Sequence, residues 1–327
     1  MSAKINTEIN AEHDPVMLPE VLQALEPRDG AVYVDGTFGA GGYTRAILEA
    51  ADCTVVALDR DCGVEKYAQD LKKKYGARFV FINGCFGDVE TLLKNKGFEK
   101  VDGFVLDLGV SSMHLDQPDR GFSFRFNGPL DMRMDTTSGD TAADLVNKMK
   151  EGDLADLIYK YGEERRSRKI ANRIINQRAQ KPFETTIELA EAVRAVVPRS
   201  PKDKSDPATR TFQALRIAVN DELGELERAL AAAENILNPG GNLVVVTFHS
   251  LEDSIVKNFI REKSGRVSGG SRHLPQIESP VTEPVFVALY NKAVSPSEQE
   301  VSRNSRSRSA KLRAATKTPL PPRKDIS

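Results

Sequence analysis

The chain has 327 residues, a formal net charge of −1, 40% hydrophobic residues and no Trp. That length accommodates one large domain or two ordinary ones, and the apolar share supports a buried core. It has no apolar run of the ~18 residues a membrane span needs, no signal-type apolar segment at its start, and three cysteines (Cys53, Cys62, Cys85) without C-x-x-C spacing. These features argue against a membrane protein, a disulfide framework and a metal site, and predict a reducing, cytoplasmic setting.

In chain order, the first predicted strand (31–35) ends in Asp35 and runs into Gly36-Thr37-Phe38-Gly39-Ala40-Gly41-Gly42. Tyr43 to Glu49 then reads as a helix. A strand, a glycine turn and a helix start make a cradle for a nucleotide-type cofactor. Glycine lets the backbone approach the ligand, and the helix start offers N–H groups to an anion. A dinucleotide fingerprint needs a third glycine where Thr44 stands. Asp35 would repel a pyrophosphate and suits a ligand with a cationic end. S-adenosyl-L-methionine fits, with a positive ammonium and sulfonium and a carboxylate for the N–H groups. The second strand (54–59) ends at Asp59, near the ~20-residue offset at which such folds hold ribose hydroxyls. The plain alternative is a tight turn in an α/β domain.

Strands at 78–82 and 101–107, with helical patterns between, complete a βαβ rhythm and predict a parallel sheet with right-handed crossovers. The rhythm stops between about Ser112 and Pro207, where helical patterns dominate. One of these opens with Thr185 and Glu188 at capping-box spacing. Phe212, Leu215, Val219, Leu223, Leu226, Leu230 and Leu237 then predict one long helix. The turn Asn238-Pro239-Gly240-Gly241 and a strand through Val246 follow. The chain therefore divides into a Rossmann-like sheet domain, 1–112 and 208–327, and an inserted all-helical domain, 113–207. The insertion leaves at a strand's carboxyl end, where such sheets bind ligands, so it is expected to serve as a substrate-recognition cap.

Two strand ends supply candidate catalytic groups. Asp107 could accept a hydrogen bond from a target amine or hold the cofactor. His249, in Thr247-Phe248-His249-Ser250, closes a later strand, although a lone histidine is more often structural. A serine-hydrolase reading fails because Ser250 lacks the G-x-S-x-G elbow. Arg120 to Phe126 alternates arginines and aromatics, which suits unpaired bases or, more plainly, a short strand burying one face. Leu130 to Asp135 carries two carboxylates, but its Arg and two Met disfavour a metal. Basic runs occur at Arg165, Arg166, Arg168, Lys169, Arg173, Arg178 and Lys181, and in residues 302–327, read as a flexible tail with eight bases and one acid. Such clusters attract phosphate backbones.

DGTFGAGGYTRAIL, ALDRD, LDLGVSS, RGFSF, GPLDMRMD, YGEERRSRKIA, ATRTFQALRIAVNDEL and TFHSLEDSIVK follow one another along the chain. Their order resembles the MraW/RsmH-type bacterial methyltransferases from about His13 to Arg313. The resemblance implies S-adenosyl-L-methionine-dependent methylation of N4 of one cytidine in the decoding region of 16S ribosomal RNA. It also implies a substrate within the small ribosomal subunit, a monomer or homodimer, and cofactor contacts at Gly41, Gly42, Tyr43, Asp59, Phe86, Asp107 and His114. Two positions depart from the family pattern. Tyr43 stands where His is usual, and Met113-His114 where Gln is usual. Two competing readings are a methyltransferase for protein or small molecules, which the basic runs disfavour, and a non-catalytic RNA-binding factor, which the intact glycine, Asp59 and Asp107 set disfavours.

Overall fold

The computed structural model describes residues 15–199, 205–265 and 283–320. They form two compact units, Met1–Gly109 with Gly224–Ser327, and Val110–Leu223. The first opens with α1 (Leu18–Leu25), whose Val21, Ala24 and Leu25 are buried. It continues through β1 (Val32–Asp35), α2 (Gly42–Ala50), β2 (Thr54–Asp59), α3 (Glu65–Tyr75), β3 (Phe79–Asn83), α4 (Val89–Asn95) and β4 (Val101–Asp107). Each of these strands is an apolar run that stops at Asp or Asn, where the chain leaves the sheet.

The second unit contains α5 (Ser112–Asp116), α6 (Ala142–Lys148), α7 (Glu151–Gly162), α8 (Ser167–Arg178), α9 (Thr186–Arg194) and α10 (Thr209–Asn220). Capping boxes start three of them, at Ser111, Thr141 and Thr185, the last as its spacing predicts. Leu154 and Ile158 of α7, Ile170 and Ile174 of α8, Leu189 and Val193 of α9, and Phe212 and Leu215 of α10 share one core. Arg120 to Phe126 is not a strand. Phe122 is buried, Phe124 meets the edge of Phe212 at 4.8 Å, and only Phe126 stays largely in solvent.

The chain returns to the first unit through α11 (Glu222–Ile236), β5 (Leu237–Thr247), α12 (Ser250–Lys263), β6 (Phe286–Ala288), α13 (Glu298–Arg303) and β7 (Lys311–Lys317). The seven strands lie in the order β3-β2-β1-β4-β5-β7-β6. β1 to β5 pair in parallel, and β7 runs antiparallel to both β5 and β6. Val34, Phe104 and Leu106 of the sheet meet Leu226, Leu230, Val256 and Ile260 of α11 and α12. Sequential strands run outward from β1 one way and from β4 the other, so the order reverses between them. In open α/β sheets, ligands bind beyond the strands' carboxyl ends at that point. Among the described residues, no helix is long and apolar enough to cross a membrane.

Four expectations are corrected. The helix read from Phe212 to Leu237 is two helices, because Asp221 takes a left-handed conformation (φ 48°) that ends α10. Phe212 and Leu215 join the helical core, so the second unit extends to Leu223 instead of ending at 207, and starts at Val110 instead of 113. Asn238 to Gly241 is no terminal turn but an irregularity within β5, where the register with β4 jumps between Val101 and Gly103. Finally, residues 302–320 of the expected flexible tail are built into the sheet unit. Leu312, Ala314 and Ala315 are buried, and β7 fills the gap between β5 and β6. Only 321–327 of that segment lie outside the described residues.

Candidate active site

At the switch point, the ends of β1, β2 and β4 bring Asp35, Asp59 and Asp107 to one edge of the sheet. Packing explains the glycines that follow β1. A Cβ on Gly36 would stand 2.6 Å from Leu106 Cδ2, and one on Gly42 would stand 2.4 Å from Pro15 Cγ. Gly41 has φ 77° and caps α2, a conformation that only glycine takes at little cost. The turn thus lies flat on β4 and aims the start of α2, with its first N–H groups outside the intrahelical ladder, along the strand ends.

Asp35 holds this turn together. It is fully buried, its Oδ1 accepts from Thr37 N at 3.1 Å and its Oδ2 accepts from Thr44 Oγ1 at 2.7 Å. It therefore organises the cradle from behind rather than meeting a ligand's cationic end. Burial pushes its pKa up to about 6, against the opposing effect of its hydrogen bonds. Because the folded pKa exceeds the unfolded value near ~3.9, the folded state holds this proton more tightly. Rising pH between about 4 and 6 should therefore lower stability by up to roughly 3 kcal/mol, with no further loss above. Asp35→Asn should remove this contribution, so urea unfolding at about pH 5 and pH 7 should show less pH dependence than wild type. Equal pH dependence in the two proteins would show that the buried charge costs nothing.

Asp59 is half-buried and oriented by two backbone donors, Gly39 N to Oδ2 at 2.8 Å and Asp61 N to Oδ1 at 2.9 Å. A carboxylate held in this direction can accept from a ligand hydroxyl. Phe86 follows β3, and its Cβ would be 3.3 Å from a Cβ built on Gly36, which places it beside the turn. Its short helical turn is pinned from α11, where Glu225 Oε2 accepts from Gly87 N at 2.8 Å.

Asp107 N donates to Thr37 Oγ1 at 2.7 Å, tying the end of β4 to the turn. Its Oδ1 is sealed from solvent and has no hydrogen-bond partner among the described residues. Burial first, and then the charge of Asp35, raise the Asp107 pKa well above the ordinary carboxylate range. A buried acceptor without a donor costs about 1–3 kcal/mol, a cost that a cationic ligand would relieve. The cradle therefore fits S-adenosyl-L-methionine on this chain's own chemistry, with an orphaned acceptor at one end, an oriented carboxylate at the other, and a helix start between.

The remaining candidates are not all brought into this group. Tyr43 is turned into the core, where its hydroxyl donates to Val16 O. Its side chain is thus committed to the core, which leaves its backbone for a ligand contact. His114 belongs to the second unit, on α5. Its Nδ1 accepts from Ser111 N at 3.3 Å, and its ring stacks on Phe122 at 4.7 Å. This ring thus serves its own helix cap. His249 Nε2 lies 3.1 Å from Glu252 Oε1, and Glu252 Oε2 accepts from Phe248 N at 2.9 Å at the start of α12. The His249 ring is largely buried and its Nδ1 has no partner among the described residues. Thr37, Thr44 and Glu225 are the supporting residues that sequence reasoning missed. Thr37 and Thr44 sit inside the quoted glycine motif, but their partners are distant in sequence or hidden from view in it.

The MraW methylase family model matches residues 10–318. The protein called ribosomal RNA small subunit methyltransferase H in Paramagnetospirillum magneticum is 56% identical over 315 residues, covering 96% of this chain and 98% of its own length. Its namesake in Rhodospirillum rubrum is 55% identical over 312 residues, covering 94% and 95%. That of Hyphomonas neptunium is 57% identical over 306 residues, covering 94% and 89%. This chain therefore belongs to the MraW methylase family of S-adenosyl-L-methionine-dependent methyltransferases.

Proposed function

We propose that this enzyme methylates N4 of one cytidine in the decoding region of 16S ribosomal RNA, in the cytoplasm and on RNA belonging to the small ribosomal subunit. The observation that carries this reading is near-full-length identity above one half to proteins named for methylating small-subunit ribosomal RNA. The site adds chemical support. An exocyclic amine is a poor nucleophile because its lone pair is conjugated with the ring. Transfer to it depends on in-line positioning and on preorganised acceptors for developing positive charge. The strand ends supply acceptors, and the target base would have to leave its stack to reach them.

In this reading Asp59 holds the cofactor ribose, Asp107 its ammonium end, the backbone of Gly41, Gly42 and Tyr43 its carboxylate, and Phe86 flanks the base. His249 remains a candidate for substrate contact. His114 remains a candidate contact only by family resemblance, since its ring already caps α5. Mass spectrometry of 16S ribosomal RNA from cells with and without the protein tests the reaction. Loss of a single N4-methylated cytidine supports it, whereas an unchanged nucleoside profile overturns it.

The cofactor assignment has its own test. Asp59→Ala should weaken S-adenosyl-L-methionine binding by about 1.5–3 kcal/mol, roughly 10–150-fold, through loss of a charged acceptor. Calorimetric titration measures this, and Asp59→Asn should recover part of the loss by keeping one acceptor for Gly39 N. A dissociation constant unchanged in both variants would remove Asp59 from the site.

A further inference from the structure

The corner where α7 meets α8, within the second unit, encloses a cleft of about 400 Å³. That volume falls in the range of pockets that hold small ligands, roughly 300–1,000 Å³. Arg165, Arg166, Arg168 and Lys169 line it, with Tyr159 and Asp156. No acid occurs between residues 165 and 183, and Arg173, also exposed, continues the positive face one turn along α8.

Little inside the unit neutralises these bases. The one acid of the lining, Asp156, stands 3.6 Å from Arg168, with about four-fifths of the Arg168 side chain in water, so this pair contributes little. Arg166 spends one N–H on Val196 O at 3.3 Å. The neighbouring Glu164 is buried, and its Oε1 accepts from Arg166 N. Four bases against one acid leave the cleft cationic.

The aromatic residue is the second independent feature. Leu154, Ala155 and Ile158 already supply the buried face of α7, while Tyr159 is 62% exposed. Its ring is therefore not needed by the core. An exposed ring among guanidinium groups is a platform for an unpaired base, and the surrounding charge suits the phosphates beside that base.

We propose that this cleft holds an unpaired nucleotide of the RNA substrate, its base on Tyr159 and the flanking phosphates on Arg165, Arg168 and Lys169. The proposal rests on the ribosomal RNA reading above and adds to it a place on the chain where that RNA is gripped. An acidic protein segment would use the charges but would leave the ring without a role, so RNA is the better match.

Binding of the full chain to an RNA fragment from the decoding region and to intact small subunits, each measured against salt, tests this. Arg165→Gln, Arg168→Gln and Lys169→Gln together should lower the log–log salt slope on the fragment by about 2, at roughly 0.7 per charge on single-stranded nucleic acid. Tyr159→Ala should weaken fragment binding at least about fivefold with little change in slope. S-adenosyl-L-methionine affinity should stay at the wild-type value in both variants, which reports that they are folded. A wild-type slope retained by the triple variant overturns the cleft alone. Weaker binding to subunits with unchanged fragment binding also overturns it, and favours an acidic protein partner. A wild-type chain that binds neither fragment nor subunits overturns both the cleft and the ribosomal RNA reading.

Discussion

Removing residues 302–327 is expected to abolish folding, not merely to weaken a contact with nucleic acid. The deletion takes away β7, which pairs along its length with β5 and on its other side with β6. Leu312 and Ala315 are fully buried there, and Leu243 and Val245 of β5 would lose their neighbours. A charged anchor also goes, because Arg313 Nε donates to Asp253 Oδ1 at 2.7 Å and Lys311 Nζ lies 3.2 Å from Asp253 Oδ2. Asp253 is largely buried, and a buried carboxylate stripped of its partners costs several kcal/mol. Together with an opened sheet edge, this approaches the whole ~5–15 kcal/mol by which ordinary domains are stable. The truncated protein should be insoluble or show no cooperative urea transition. A soluble product with the wild-type midpoint would contradict the strand assignment. The role of the basic residues in RNA affinity is therefore better tested by neutralising exposed Arg303 and Arg308, which lie before β7.

The second large effect is expected at Asp107. Asp107→Asn keeps the shape and one acceptor oxygen but removes the charge. The wild-type Oδ1 is a sealed acceptor with no donor, and burial together with Asp35 disfavours its ionised form. A cationic ligand end favours that ionised form, so cofactor binding should be coupled to release of a proton. Affinity in the wild type should then rise with pH until the carboxyl is ionised without ligand, and the Asn variant should lack this rise. At about pH 8 the variant should bind S-adenosyl-L-methionine roughly 10–150-fold more weakly, the equivalent of about 1.5–3 kcal/mol. Turnover at saturating cofactor should largely recover. If kcat falls while affinity holds, Asp107 instead stabilises charge on the target nitrogen. Near-native values of both would leave it as a partner of the turn alone.

The first four strands were legible in the sequence because each is a short apolar run stopped by Asp or Asn. β7 was not, because charged residues interrupt its apolar ones. Lys311, Arg313 and Lys317 separate small or single apolar residues, and their charge suggests solvent. What makes this segment a strand is a partner on each side and the carboxylate of Asp253, none of them local. The break between α10 and α11 was hidden for a related reason. The apolar spacing from Phe212 to Leu230 continues across Asp221 as though the helix did, and the left-handed turn there leaves no periodic mark. In the site, Asp59 and Asp107 could be found from their place at strand ends. The inward turn of Tyr43 could not, since it depends on Val16 in a segment with no pattern of its own. Nor could the cap made by the His114 ring, because Ser-x-x-His is not a usual capping pair.

The position of β7 also sets the order in which the molecule can be assembled. The sheet's last strand in sequence is not last in space, since it is bracketed by β5 and β6, both made earlier. A chain emerging from the ribosome reaches β5 only after the whole Val110–Leu223 unit has been synthesised. It then waits, with one side of β5 unpaired, until Lys311 to Lys317 are out. Pairing between distant segments occurs twice in this sheet, where β1 meets β4 at Tyr33 and Gly103 and where closure joins Asn242 to Thr316. Such distant pairing is slow relative to local contacts. The native sheet thus closes last along β7, and a chain stopped short of Lys317 cannot complete it.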